Sequence, residues 1–185
     1  LLSPSDKLNE IDTYPVIVKP NSQGSTIGMS IVNEKSELAD AISKAFSVDD
    51  KVIVEEFVKG QETTVGLLYG EALPVVEIIP PDGFFDFDAK YTYAKGQTIY
   101  NCPPLEISVS VQKRMQGIAE ACFKICQARH LLRVDIIWRP EDDRLTVLEV
   151  NTMPGFTANS LLPKSAREAG MSFTELCCKL AVKSL

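Results

Sequence analysis

The chain has one histidine, no cluster of basic residues and no long apolar stretch among its 185 residues. His130 has no serine or cysteine partner at a recognisable spacing, which argues against nucleophilic catalysis built on imidazole. The formal net charge of −6 disfavours a nucleic-acid partner. No window of about 18 apolar residues predicts a membrane span. Chemistry is therefore expected to rest on lysine, arginine, carboxylates and metal ions.

The cysteines form no pattern typical of a zinc site or a disulfide framework. Their count of five is odd, and no Cys-x-x-Cys or Cys/His ligand spacing occurs. Buried thiols in a reducing cytoplasm are the favoured interpretation. An apolar content of 45% is enough for the core of one compact domain, or of part of a larger protein. Because the chain starts with Leu1 rather than Met, we expect further residues upstream.

A polar hairpin is expected between residues 132 and 156. Two β-prone segments flank the turn-forming run Pro140–Arg144. With the turn centred near Asp142, directly opposed residues share a face, as do residues two apart along one strand. The residues predicted to share the polar face are Arg133, Asp135, Glu149 and Asn151. The opposite face, predicted to be ordinary core, carries Val134, Ile136, Trp138, Leu148 and Val150.

Two interpretations of this polar face are open. Two carboxylates and an amide suit a hard divalent cation, because Mg²⁺ prefers oxygen ligands and shares them with substrate phosphates. Arg133 beside them is suited to an anion or a developing oxyanion. The alternative is a solvated face on which Arg133 and Asp135 simply pair. The Thr-Met-Pro-Gly loop directly after Asn151 favours a site, since site residues tend to lie where strands end in loops.

A second candidate site lies near the start of the chain. A short strand over residues 14–18 ends at Lys19, and the small-residue loop Asn21–Gly28 follows. Its glycines permit close backbone approaches, and Ser25 and Thr26 add hydroxyl donors, so the loop is suited to cradle phosphates. The lysine precedes the glycines, which excludes a Walker A loop. The alternative is a plain hairpin loop.

Residues 80–104 resist assignment to a helix or strand. They contain four prolines and many aromatic residues. Long ordered loops of this kind are often functional, and the aromatic content argues against disorder. We predict a lid that closes over a ligand, with Lys90 and Tyr91 as its polar contacts. The alternative is an Ω-loop packed by its own aromatic side chains.

The remaining segments have ordinary helical and strand patterns. Helices are predicted over about residues 36–47, 108–128 and 160–168, and a last helix begins at the capping box Ser172–Glu175. Further strands are predicted over residues 52–58, 62–69 and 72–79. The order predicts an α+β fold of antiparallel strands with packed helices.

Five segments together resemble D-alanine–D-alanine ligases, in order and in spacing. They are Lys19-Pro20 with the loop Gly24–Met29; Glu55–Val58 with Gly60 and Glu62; Asp86–Tyr91; Arg133–Asp135; and Glu149–Thr157 with Ser160-Leu161. The resemblance covers residues 14–185, and residues 1–13 form a lead-in segment. It implies that residues 14–185 are an ATP-grasp domain with antiparallel sheets and a long lid loop.

The resemblance implies that ATP phosphorylates the carboxylate of one D-alanine and that the amine of a second D-alanine attacks the acyl phosphate. It implies phosphate binding by Lys19 and Lys90, adenine recognition through the backbone of Glu55, Glu56, Phe57 and Val58, and ribose binding by Glu62. It implies two Mg²⁺ or Mn²⁺ ions held by Asp135, Glu149 and Asn151.

The resemblance assigns the remaining site residues to the peptide-forming step. Arg133 and the backbone of Gly155 are expected to form the oxyanion hole. Ser160 and Leu161 are expected to contact the second D-alanine, and Ser25 and Tyr91 to join a hydrogen-bonded cluster that closes the lid. Tyr91 favours a dipeptide over a depsipeptide product.

The resemblance also implies partners and a setting. The reaction supplies a peptidoglycan precursor in the cytoplasm, with no nucleic acid and no membrane as partner. An N-terminal part of the same enzyme, absent from this chain, is expected to bind the first D-alanine and to add an ATP-binding lysine. A homodimer is compatible with the family. The alternatives are another ATP-grasp dipeptide or depsipeptide ligase, and a nucleotide-binding module without catalysis.

Overall fold

The structure, a computed structural model, describes residues 1–3, 11–24, 26–81 and 98–183, with only the backbone described for residue 183. The strands are β1 (Val16–Pro20), β2 (Ser30–Val32), β3 (Val52–Glu56), β4 (Gln61–Leu68), β5 (Glu71–Ala72), β6 (Val76–Ile79), β7 (Ile99–Asn101), β8 (Leu131–Arg139) and β9 (Arg144–Asn151). The helices are α1 (Leu38–Phe46), preceded by a short 3-10 turn at Lys35–Glu37, α2 (Val109–Ile125), α3 (Leu161–Glu168) and α4 (Phe173–Lys183). Every strand pairing is antiparallel, as predicted for an α+β fold.

The chain divides into two compact units. The first includes the described residues up to Val58, and the second includes the described residues of 59–80 and 98–183. The boundary along the chain follows directly after the segment Glu55–Val58, which the sequence analysis assigned to adenine recognition.

The first unit is built on a three-stranded sheet in the order β2-β1-β3. Alternate residues of β1 point to its core, and α1 packs its apolar stripe against them. The core consists of Val16, Val18, Val32, Val52 and, from α1, Leu38, Ala41, Ile42 and Ala45. Leu2 exchanges two backbone hydrogen bonds with Val52 of β3, at 2.6 and 2.9 Å.

The second unit is built on a six-stranded sheet in the order β7-β6-β4-β8-β9, with β5 beside β4. One face is covered by α2, and the helix and the sheet share an apolar core. That core includes Val65, Leu67, Leu132, Val134 and Ile136 of the sheet, and Val111, Met115 and Ala119 of α2. The predicted apolar face of the hairpin is therefore confirmed for Val134 and Ile136, while Trp138 and Val150 are only partly buried against it.

The opposite face of the same sheet carries α3 and α4 at one end. Their core joins Leu68 and Leu73 to Leu162, Ala166 and Leu176. Gly66 of β4 makes this packing possible, because a Cβ there would lie 3.2 Å from Cγ of Leu162. The helix α3 thereby lies against the face of the sheet that carries Arg133, the residue paired with Gly66.

Two elements differ from the sequence-based expectations. The strand predicted over residues 72–79 is divided into β5 and β6, which Leu73-Pro74-Val75 separate. The strand β7 occupies residues that were assigned to the predicted lid. The capping box of α4 is confirmed: Ser172 Oγ accepts from the Glu175 backbone N–H at 3.2 Å, and Glu175 Oε2 accepts from Ser172 N at 2.8 Å.

The cysteines are free thiols, but none of them is fully buried. Cys126 and Cys178 are exposed, which corrects the expectation of buried thiols, and the other three are intermediate. Burial, together with the nearby Glu168 carboxylate, raises the pKa of Cys102 to about 11. That thiol is therefore protonated at neutral pH.

Among the described residues, no helix combines the length and apolar character needed to cross a lipid bilayer.

Candidate active site

The polar face of the six-stranded sheet brings together the four residues predicted from the hairpin. Asp135 of β8 lies opposite Glu149 of β9, and Arg133 lies opposite Asn151, as predicted. On the other side of β8, Thr64 of β4 lies opposite Asp135. We call this group, Arg133, Asp135, Glu149 and Asn151 with Thr64 and Glu62, the polar face.

A β-bulge produces this register. Near the turn, Arg139 pairs with Arg144 and Ile136 pairs with Val147, whereas Asp135 pairs with Glu149. Leu148 therefore has no partner, and it is not opposite Ile136 as the simple hairpin predicted. A bulge re-aims the residues beyond it. If Leu148 were instead paired in a regular ladder running on from Arg139 and Arg144, Glu149 would lie opposite Val134, on the core face.

Asp135 is the centre of the hydrogen-bond network. Its Oδ1 accepts from Thr64 Oγ1 at 2.6 Å and from Arg133 Nε at 2.9 Å. Its Oδ2 accepts from Arg133 Nη2 at 2.7 Å and from Asn151 Nδ2 at 3.1 Å. The residue is 7% exposed. Four donors match the four lone-pair sites of an ionised carboxylate, so this buried charge is fully satisfied.

Arg133 forms a forked pair with Asp135 and lies 3.8 Å from Glu149, measured between Nη2 and Oε1. Burial by itself lowers the pKa of Arg133. The hydrogen bonds and charge of Asp135, with the charges of Glu149 and Glu62, outweigh burial and raise that pKa above its ordinary value. The guanidinium is therefore a permanent cation held in a fixed orientation.

Glu149 is held more loosely than Asp135. Its side chain is 61% exposed, and its Oε1 accepts from Asn151 Nδ2 at 3.2 Å. The same amide nitrogen thus bridges both carboxylates. An asparagine amide can turn over and present its oxygen where its nitrogen had been, because the two ends differ little in shape.

Thr64 is a member of the site that was not predicted from the sequence. It is 1% exposed, and its hydroxyl points at Asp135. The signal was present in the alternation of β4, since Thr64 follows Glu62 by two residues and so shares its face. Glu62 itself lies on the polar face, where its charge acts on Arg133.

The residues predicted to contact the second substrate lie in the loop that follows β9 and at the start of α3. Ser160 Oγ accepts from the Thr157 backbone N–H at 3.0 Å. A Cβ on Gly155 would lie 3.3 Å from that hydroxyl. Gly155, predicted for the oxyanion hole, and Ser160 are therefore close neighbours. Leu161 is the first residue of α3.

The residues predicted to bind ATP lie partly in the first unit. Lys19 Nζ forms an ion pair with Glu55 Oε1, across the pairing of β1 with β3. Glu56 is exposed and Val58 is buried. The backbone N–H of Phe57 donates to the Pro15 carbonyl at 3.1 Å, so that group is already engaged.

Three predicted site residues fall outside the described residues: Ser25, Lys90 and Tyr91. The phosphate-binding interpretation of the loop stays a prediction, and what the structure shows there is close packing at Gly28. Gly28 has a φ of +74°, and a Cβ there would lie 2.8 Å from Pro20 Cγ and from Val48 Cγ2. Only glycine fits that position.

The donor set of the polar face suits a hard cation that also binds phosphate. Within the described part of the chain, no three His, Cys, Asp or Glu side chains gather as a metal site. Asp135, Glu149 and Asn151 of the polar face offer two carboxylates and an amide, which is the small protein share that Mg²⁺ takes when phosphates supply further ligands. All the lone pairs of Asp135 accept hydrogen bonds, so a cation can bind there only if one donor leaves. The Asn151 amide is the donor that can leave, because turning over replaces its N–H with an oxygen ligand.

Comparison with protein families gives one match over almost the whole chain. The family described as "D-ala D-ala ligase C-terminus" matches residues 3–182. The D-alanine–D-alanine ligase of Syntrophotalea carbinolica is 44% identical over 163 residues, which are 88% of this chain and 52% of that protein. The ligase of Methylacidiphilum infernorum is 42% identical over 167 residues, which are 90% of this chain and 54% of that protein. The chain spans about half the length of the curated relatives it matches.

Solved structures agree with this match. D-alanine–D-alanine ligase from Bacillus anthracis complexed with ATP has a TM-score of 0.80 at 31% identity, over 97% of this chain and 57% of that one. The D-Ala:D-Ser ligase VanG from Enterococcus faecalis has a TM-score of 0.78 at 35% identity, over 92% of this chain and 49% of that one. These neighbours confirm the predicted ATP-grasp fold.

Proposed function

Because this chain belongs to the D-alanine–D-alanine ligase family, through the match of residues 3–182 to its C-terminal part, we propose that it supplies the ATP-grasp portion of an enzyme that joins two D-alanines. The dipeptide would serve peptidoglycan precursor synthesis in the cytoplasm. The observation that carries the proposal is the convergence of Arg133, Asp135, Glu149 and Asn151 on one face of the sheet.

The proposed reaction has two steps. The carboxylate of the first D-alanine attacks the γ-phosphorus of ATP, which forms an acyl phosphate and releases ADP. The amine of the second D-alanine then attacks the acyl carbon, phosphate leaves, and the nitrogen loses a proton to give the amide. An N-terminal part outside this chain would bind the first D-alanine.

Arg133 is placed to stabilise the tetrahedral oxyanion of the second step. Its bonds to Asp135 use Nε and Nη2, and within the described residues no acceptor is paired with Nη1. A fixed guanidinium edge stabilises developing negative charge without reorganising during the reaction. Gly155 and Ser160, together beside α3, would hold the second D-alanine and complete the oxyanion site.

Asp135, Glu149 and Asn151 would hold one or two Mg²⁺ or Mn²⁺ ions with the phosphates of ATP. Bound there, such ions would neutralise charge at the transferring phosphoryl group. Lys19 would leave Glu55 and bind a phosphate of ATP instead. The backbone of Glu55–Val58 would hold the adenine. Ser25, Lys90 and Tyr91 keep their predicted roles in closing the lid, and Glu62 its role at the ribose.

The experiment uses the full-length protein that carries this chain, with ATP, Mg²⁺ and D-alanine, and measures phosphate release. We expect release that depends on D-alanine and a dipeptide product. Equal release with L-alanine, or none with D-alanine while another amino acid is active, would overturn the substrate assignment.

The second substrate is tested separately, because one structural neighbour is a D-Ala:D-Ser ligase. D-serine and D-lactate are added in competition with D-alanine, and the products are separated by mass. We expect D-alanyl-D-alanine to dominate. Binding of ATP that requires Mg²⁺, without turnover of any of these substrates, would instead favour a nucleotide-binding module that has lost catalysis.

A further inference from the structure

Thr64 of β4 is a buried residue whose hydroxyl contacts the central carboxylate of the polar face. It is 1% exposed, and its hydroxyl lies 2.6 Å from Asp135 Oδ1 and 3.3 Å from the Val134 carbonyl oxygen. A hydroxyl has one proton to donate, and an ionised carboxylate only accepts. The shorter distance is typical of an O–H donor to a carboxylate. The proton of Thr64 therefore goes to Asp135.

This bond determines how the carboxylate is oriented. Thr64 approaches from β4 and engages Oδ1, while Asn151 approaches from β9 and engages Oδ2. Arg133 contacts both oxygens along the same strand as Asp135. With Oδ1 held toward β4, Oδ2 is the oxygen that faces β9, where Glu149 lies. The Asn151 bond at 3.1 Å is the longest of the four, so it is the one most easily given up.

We propose that Thr64 is a positioning residue that fixes Asp135 Oδ1, so that Oδ2 remains the oxygen available to a divalent cation shared with Glu149 and Asn151. The inference rests on the proposed function, because it requires a metal ion at the polar face. Losing a hydrogen bond that orients a ligand side chain typically weakens metal binding by about 10–100-fold.

The chain offers a matched control in the neighbouring residue. Thr63 is 0% exposed, and its hydroxyl donates to the Ile136 carbonyl at 2.8 Å on the opposite face of the same strand. Thr63→Val and Thr64→Val each replace a buried hydroxyl with a methyl of similar shape. Only the second change removes a bond to Asp135.

The test measures Mn²⁺ binding to the full-length protein in the presence of a non-hydrolysable ATP analogue, by electron paramagnetic resonance. We expect Thr64→Val to weaken Mn²⁺ binding by about tenfold or more. Thr63→Val should stay within about threefold of the unchanged protein, since it leaves every ligand in place. Thr64→Ser should restore most of the affinity. Equal affinities for Thr64→Val and Thr63→Val would overturn the proposal.

The proposal can still be tested if Thr64→Val fails to fold, and its failure can be told apart from failure of the metal site. If Thr64→Val does not fold, Thr64→Ser and Thr64→Ala are compared, because they differ only in the hydroxyl, and equal Mn²⁺ affinity would overturn the proposal. If the unchanged protein binds no Mn²⁺ with the analogue, the proposed metal site fails and this inference fails with it. Normal binding to the unchanged protein with an unaffected Thr64→Val variant overturns the role of Thr64 alone.

Discussion

The two units each contain a conspicuous charged pair, and the pairs differ in how firmly they are held. In the six-stranded sheet, the side chains of Arg133 and Asp135 are 18% and 10% exposed, and two hydrogen bonds join them. In the three-stranded sheet, the side chains of Lys19 and Glu55 are 25% and 40% exposed, and one contact joins them. Removing one partner of a buried pair leaves an uncompensated charge, whereas a pair that stays partly in water is worth less, about 1 kcal/mol or below.

This difference separates a cation that is held in place within its own unit from one that can exchange partners. Arg133 keeps its orientation because Asp135 is itself held by Thr64 and Asn151. Lys19 can leave Glu55 at little cost when a phosphate offers a stronger partner. An oxyanion requires a fixed donor, while a nucleotide that enters and leaves requires a mobile one.

The largest expected effect on stability is at the buried pair. Arg133→Met leaves Asp135 charged and without its forked partner, so the free energy of unfolding should fall by about 3 kcal/mol. Urea unfolding followed by circular dichroism measures the loss. Lys19→Met is the control from the partly exposed pair with Glu55, and equal losses in the two variants would remove the distinction drawn between the two pairs.

The largest expected effect on ligand binding without loss of stability is at Glu149. Its side chain is 61% exposed, so Glu149→Gln should change the free energy of unfolding by no more than about 0.5 kcal/mol. If Glu149 holds a metal ion, Glu149→Gln should weaken Mg²⁺-dependent ATP binding by at least about tenfold. Calorimetric titration with ATP, with and without Mg²⁺, checks this. An unchanged Mg²⁺ requirement would count against the polar face as a metal site.

The partly exposed pair of Lys19 and Glu55 allows a sharper experiment, because either partner can be removed. Lys19→Met and Glu55→Gln both abolish the pair, and each should cost less than about 1 kcal/mol of stability. Only Lys19→Met removes the cation, so ATP affinity should fall by about tenfold in that variant, as expected for one hydrogen bond to a charged group. Similar ATP affinities in the two variants would show that Lys19 has no role beyond its pairing with Glu55.

The smallest expected effect is at an exposed carboxylate of the second unit. The hydrogen bonds from the Ser172 hydroxyl and backbone lower the pKa of Glu175 below its ordinary value of 4.5. A lowered folded-state pKa gives stability that is present above the unfolded-state pKa and disappears as the pH falls through the folded-state pKa. The melting-temperature difference between the unchanged protein and Glu175→Ala should therefore shrink below about pH 4. A difference that persists undiminished in acid would mean that the charge of Glu175 contributes nothing to the cap.

The sequence predicted the four hairpin residues of the polar face well because they are close along the chain. A turn rich in polar residues and two β-prone segments are enough to place Asp135 opposite Glu149. The prediction was right for Glu149 and wrong for Leu148, since it assumed a regular ladder. Nothing in the composition of β9 marks the bulge. The bulge joins the register adopted near the turn to the different register adopted at the far end of the hairpin.

Contacts between distant segments were beyond the sequence alone. The pairing of β4 with β8 brings Thr64 to Asp135 across 71 positions of the chain. The pairing of β1 with β3 brings Glu55 to Lys19 across 36 positions. The resemblance to ligases placed Lys19 and Glu55 in one site, but it did not show that they neutralise each other. The roles of Ser25, Lys90 and Tyr91 stay predictions, because these residues lie outside the described part of the chain.

The bulge at Leu148 also affects how related sequences should be aligned. Because Ile136 already pairs with Val147 and Asp135 with Glu149, a relative that lacks the residue at position 148 would have an uninterrupted ladder with the same opposed pairs. A hairpin shorter by that one residue would still place its second carboxylate beside the first. A gap at this point of an alignment is therefore no sign that the site has been lost, whereas a gap between Glu149 and Asn151 would be.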